Sequence, residues 1–180
     1  DEYLAPGFHS YAFWQQYQTY DVTEALQAGG NAIGFMLGDG WFKGRFGFDG
    51  GYEDLYGDQF RLIAECIVTY EDGTEEIIAS DDTWEVAEGP LVSSSIYDGE
   101  VYDANLEIDG WNKYSESESA VCWERMQLSD TDTEELQARL SVPVKIVDAF
   151  VPELIITPAG EQVLDFKQNM TGWITFSADA

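Results

Sequence analysis

Apolar and polar residues alternate through most of the patterned segments of this 180-residue chain. Between residues 60 and 70, the side chains of Phe60, Leu62, Ala64, Cys66, Val68 and Tyr70 share one face. A period of two is the mark of a half-buried strand. Asp72-Gly73 follows at once, then a second strand-like run, which together signal a hairpin. Ile33, Phe35 and Leu37 alternate in the same way across residues 31–37. Residues 83–87, 100–108, 142–150 and 162–168 are further strand candidates, as are 172–178, where Ile174 and Phe176 oppose Trp173 and Thr175. Helical signals are scarce. Residues 21–30 predict about two turns, with Asp21 and Glu24 spaced as a capping box and Gly29-Gly30 as the stop. Residues 130–140 read either as a second helix or as an acidic loop that becomes a strand near its end.

Many short strands and one brief helix predict an all-β fold: a jelly-roll β-sandwich with one short helix, plus the first strands of a second β-sandwich. Pro143 opens a new apolar run, so the sandwich is expected over residues 1–141 and the opening of the second domain over 142–180. The polar stretch 115–120 reads as a surface loop.

Charge narrows the functions. Thirty-five acidic residues stand against eight basic ones, a formal charge of −27. Such a field repels phosphate backbones and anionic membranes, so neither nucleic acid nor membrane is expected as a partner. No apolar run is long enough to span a bilayer. The chain opens on "DEYLAP" without an initiator Met, which suggests a piece of a longer protein. Cys66 sits on the apolar face of its run and is expected to be a packed thiol; Cys122 lies beside Trp123. With no CxxC there is no zinc or redox motif, and a disulfide between the two cysteines stays open.

The stretch "GDGWFKGRFGFDGG", residues 38–51, is the most unusual. It misses a dinucleotide fingerprint because its third glycine comes one place late and no helix pattern follows. It misses a phosphate loop because Lys43 precedes Gly44 rather than Ser or Thr. "KGRFGF" approaches an RNA-recognition strand, but Arg45 breaks the register and the net charge opposes it. Two readings remain. Either the glycines permit a tight sandwich corner while the aromatics fill the core, or Trp41 offers its face to a sugar ring with Asp39, Arg45, Asp58 and Asp49 bonding hydroxyls. Arg45 has Asp49 and Asp58 as internal partners in the first case.

"YDGEVYDAN", residues 97–105, places Asp98, Glu100 and Asp103 close together. Paired carboxylates serve glycosidases, but in so acidic a chain a calcium site is the better reading, since calcium takes several carboxylate and carbonyl oxygens. No EF-hand spacing accompanies them. His9 is the only histidine, which argues for a packed side chain over a catalytic base and against a transition-metal site.

Taken in order, "LAPGFHSY", "YQTYDVTEALQAGGNAIGFMLGDGWFKGRFGF", "YGDQFRLIAE", "IYDGEVYDANLE" and "LDFKQNMTGW" resemble the amino-terminal β-sandwich region of bacterial α-L-rhamnosidases, glycoside hydrolase family 78. Jelly rolls of β-galactosidase-like enzymes carry stretches like the second block; "GDGWFKGRFGF" and "YDGEVYDA" tip the choice. The resemblance implies a multidomain inverting glycosidase that removes terminal α-L-rhamnose, with its catalytic glutamates in a later (α/α)6 barrel. The chain itself would then be non-catalytic, packed against that barrel. It would need no cofactor, though calcium and rhamnose are expected ligands if it resembles the family's calcium-dependent binding module. Three departures stand out. The strand that usually leads into "DEYLAPG" is missing, Lys167 replaces a glycine of the family pattern, and Asn105 replaces an Arg.

Overall fold

The computed structural model describes residues 2–115, 121–130 and 136–177. Its regular structure is strand, in the all-β sandwich class. Among the described residues ten strands are formed in chain order: β1 Gln15–Tyr17, β2 Glu65–Thr69, β3 Glu75–Ala79, β4 Glu85–Val86, β5 Leu91–Ser95, β6 Gly99–Tyr102, β7 Glu124–Arg125, β8 Leu136–Ala138, β9 Glu153–Ile156 and β10 Gln162–Asp165. They pair as five two-stranded sheets, β1-β8 in parallel and the others antiparallel. The chain divides into two compact units, Pro6–Val142, and Asp1–Ala5 with Pro143–Ala180.

In the larger unit, the β2-β3 hairpin follows from its local sequence. Gly73 takes φ +83°, and the Asp72 carboxylate accepts from the Thr74 backbone N–H and hydroxyl. Register pairs Ile67 with Ile77 and Cys66 with Ile78. Cys66 and Val68 are the half-buried positions of β2, as their alternation predicts. Both cysteines are free. The β5-β6 hairpin carries a register shift between Leu91 and Ser93 and turns at Gly99, φ +84°. After β6 the run does not continue as strand to residue 108. Asp103 accepts from the Asn105 N–H and opens a single 3-10 turn, Ala104–Leu106. Aromatic packing supplies the interior, and among the described residues only His9, at 5% exposure, and Pro90 are buried.

The predicted helix at residues 21–30 shrinks to one 3-10 turn, Thr23–Ala25. Asp21 does bond the Thr23 N–H, as a cap would. Asn31, however, bonds the backbone N–H and carbonyl of Gln27 and the carbonyl of Gly29, closing the chain into a loop where a helix would need those groups. Leu26 is 41% exposed, so no apolar face supports the turn, and two-turn helices are not stable without one. Residues 31–37 and 172–177 form no ladder, and 142–150 contribute only the bridge from Val144 to Tyr3. Alternation marks them as apolar on one face, but apolar alternation by itself does not supply the ladder hydrogen bonds of a strand. Of residues 130–140, the strand alternative holds at β8; 131–135 lie outside the described residues, as do 116–120 of the expected surface loop.

In the smaller unit, β9 and β10 form a hairpin around Gly160, φ +86°. Glu153 and Asp165 face each other in register. Lys167, the residue at the departed glycine, keeps a left-handed backbone, φ +63°. Its Nζ lies 2.9 Å from both facing carboxylates, and its N–H donates to Asp165 Oδ1.

Candidate functional site

The glycine-rich stretch builds two adjoining features in the larger unit, an aromatic cluster and a polar cleft. Phe46 and Tyr52 exchange backbone hydrogen bonds of 2.7 and 2.9 Å, closing a tight loop whose tip is Phe48-Asp49-Gly50-Gly51. Asp49, Gly50 and Gly51 all have positive φ. Gly51 has a second constraint, because a Cβ there would run into the Phe46 carbonyl oxygen. At Gly44 a Cβ would come within 2.7 Å of the Gly40 carbonyl oxygen, which already accepts the Gly44 N–H. These glycines therefore serve close backbone approach within the chain.

The aromatics of the stretch pack inward. Trp41 meets Phe8 edge-on at 6.1 Å, and Phe8 stacks on Phe46 at 5.2 Å. Phe42 and Tyr56 each pack against Tyr11, at 5.4 and 5.0 Å. His9 lies 3.9 Å from the Tyr11 ring and bonds Gln15 through Nε2. Burial, reinforced by Tyr56, pushes the Tyr11 phenol up to about 12. Packing against Phe8 thus takes up part of Trp41.

The cleft, about 380 Å³, lies between this stretch and the β5-β6 hairpin. Arg45 crosses it: Nε and an Nη donate to the two oxygens of Asp98 at 2.8 and 2.7 Å. Another Nη donates to the Gly47 carbonyl, and the guanidinium sits 4.6 Å over the Tyr97 ring. Ser95 completes the turn, donating to Asp98 and accepting from the N–H groups of Tyr97 and Asp98. The Arg45 hydrogen bonds hold the Asp98 carboxyl below the usual carboxylate range, with Ser95 assisting. Lys43 pairs with Asp39 at 2.7 Å, which raises its ammonium above the ordinary lysine value; the charges of Asp54 and Asp58 add to this.

Of the residues singled out from sequence, Asp39 and Arg45 therefore line the cleft, and Asp58 acts on Lys43 from an exposed position. Trp41 is not among the cleft-lining residues. Arg45 takes neither Asp49 nor Asp58 for its two-pronged bond but Asp98, fifty-three positions away. Asp98 and Glu100 line the cleft, whereas Asp103 is occupied at the 3-10 turn. Among the described residues no group of three or more His, Cys, Asp or Glu converges to hold a metal ion. Sequence reasoning missed Lys43, Glu53, Asp54 and the Ser93-Ser94-Ser95 run, whose dense hydroxyls beside the "YDGE" turn were the available signal. With both cations committed to carboxylates, Glu53, Asp54 and Glu100 give the cleft an acceptor-rich wall suited to hydroxyl donors.

Residues 1–148 match the family described as the Alpha-L-rhamnosidase N-terminal domain. This chain belongs to that family. An alpha-L-rhamnosidase of Streptomyces avermitilis is 38% identical over 171 residues, covering 94% of this chain but 16% of the relative. The crystal structure of the native enzyme from Aspergillus terreus superimposes with a TM-score of 0.79 at 34% identity, over 96% of this chain and 20% of that one. The structure of the Streptomyces avermitilis enzyme complexed with L-rhamnose gives 0.74 at 34% identity, over 94% and 16%. The chain thus spans a fifth or less of the rhamnosidases it matches.

Proposed function

We propose that this chain is a non-catalytic accessory part of an α-L-rhamnosidase, a glycoside hydrolase that releases terminal α-L-rhamnose with inversion. The observation that carries this is the coverage: almost all of the chain aligns with rhamnosidases, and most of each rhamnosidase lies outside the alignment. The catalytic (α/α)6 barrel belongs to that remainder. Residues 1–141 are the accessory sandwich, and 142–180 open a second one. Apolar side chains in the smaller unit support a packing role, since Val147 and Val151 are each 96% exposed and large exposed apolar patches mark interaction surfaces. The test is incubation of the purified chain with an aryl α-L-rhamnoside. No release above buffer is expected; release that scales with the chain would sink the proposal.

A second role, sugar contact, is favoured by the acceptor-rich cleft. Asp39, Arg45 and Asp58 are its proposed contacts, with Trp41 contributing its remaining exposed surface. Calorimetry with L-rhamnose, with and without calcium, decides it. Heat of binding that disappears on substituting Asp39 by Ala supports this role, and no heat at millimolar-order sugar concentrations leaves the packing role alone.

A further inference from the structure

We infer that folding of the region 62–112 is governed by ionic strength, with a diffuse cloud of solvent cations supplying the charge balance that the chain lacks. Residues 62–112 contain fourteen Asp and Glu and no Lys, Arg or His. They include β2 through β6. From elsewhere Arg45 reaches Asp98, and Arg125 stands opposite Glu85 and acts on Asp81.

The β2-β3 hairpin is the extreme case. Glu65, Glu71, Asp72, Glu75 and Glu76 are all exposed, and no ion pair to any of them is formed among the described residues. Their hydrogen bonds come from neutral groups. Tyr70 donates to Glu76, Thr69 to Glu75, and Thr74 to Asp72. Such bonds satisfy the oxygens and leave the charge in place. Nor does burial offset the repulsion, since the paired Ile67 and Ile77 are 57% and 60% exposed.

Distances decide when that repulsion matters. The register sets no two of these carboxylates directly opposite: Glu75 pairs with Thr69 and Glu76 with Val68, so Glu71, Asp72, Glu75 and Glu76 gather at the turn end while Glu65 stands at the other. Diagonal neighbours on a ladder lie about 7–8 Å apart. The Debye length is about 10 Å at 0.1 M salt and about 3 Å at 1 M. At the lower concentration the four carboxylates at the turn end feel one another, and at the higher one they scarcely do. This is screening by any cation, unlike a coordinated ion, and it holds whether or not the chain is part of a rhamnosidase.

The experiment is thermal unfolding of the chain, followed by near- and far-ultraviolet circular dichroism. Sodium chloride and potassium chloride are each varied from about 0.1 to 1 M. The same series is run on the variant E71K/E75K. The expected result is a rise in Tm of at least about 5 °C, equal for the two salts, or a transition that exists only at high salt. The variant should melt higher than the parent at low salt and respond less steeply. A flat or falling Tm, no transition at any salt, or an unchanged slope in the variant would overturn the inference. So would stabilisation that saturates below about 1 mM calcium chloride with no response to the monovalent salts, the behaviour of a specific site.

Discussion

Tyr11 offers the sharpest check on the aromatic cluster that claims the glycine-rich stretch. Its ring sits between Phe42, Tyr56 and His9, and its hydroxyl donates to the Gly7 carbonyl at 3.3 Å. Burial first, then Tyr56, pushes the phenol from 10.0 up to about 12. The folded state therefore favours the neutral phenol. The resulting stability is fully present below the unfolded value near pH 10 and is lost as pH rises through about 12. Two units correspond to a ceiling of about 2.7 kcal/mol. Because the ring is only half-buried, solvent screening cuts this to the order of 1 kcal/mol. The perturbation is Tyr11→Phe, and the assay is alkaline titration by phenolate absorbance, parent minus variant. The difference curve should have its midpoint near pH 12. The parent should also lose about 1 kcal/mol more stability than the variant between about pH 10 and 12. A difference midpoint at the ordinary tyrosine value would refute the reasoning. It would mean that Tyr11 is solvated, the cluster is open, and the aromatics of the stretch are not packed against it.

Gly51→Ala should destabilise the larger unit by at least about 1–2 kcal/mol in urea unfolding, because φ is +51° and the new Cβ meets the Phe46 carbonyl. Arg45→Lys removes the two-pronged bond to Asp98 and the stacking on Tyr97. The Asp98 carboxyl, now held low, should then titrate closer to the ordinary carboxylate value in carbon-detected NMR. Since its folded value is depressed, the parent's extra stability is present above about pH 4 and fades as pH falls through the folded value. Lys167→Gly relieves a left-handed backbone but leaves Glu153 and Asp165 facing each other unneutralised. Its melting temperature should fall relative to the parent at low salt and match or exceed the parent at high salt.

What was legible in the sequence was local. Asp72-Gly73 makes its own turn with a neighbouring Thr, so the β2-β3 hairpin could be read from a few residues. The alternation of Cys66 and Val68 correctly named the inner face of β2. The departure at Lys167 is also local, and the positive φ shows why a glycine suits that place. The turn at residues 23–25 reads as a longer helix because Asp21 does bond the Thr23 N–H, while the competing side chain, Asn31, acts from beyond the apparent stop. The Arg45–Asp98 bridge was not legible at all. Nothing in either segment records that a hairpin tip fifty-three residues away will arrive beside the loop, and nearer carboxylates at 49 and 58 looked equally good. For the same reason the cleft's serines and Trp41's packing against Phe8 emerged only with the tertiary structure.

The central claim, that this chain accompanies rhamnoside hydrolysis without performing it, is tested most directly by comparing two samples on one aryl α-L-rhamnoside. One is the chain alone, and the other is the longer polypeptide whose gene carries it. The account predicts an inert chain and an active longer polypeptide. Turnover by the chain alone, or a longer polypeptide inert toward α-L-rhamnosides, would contradict it.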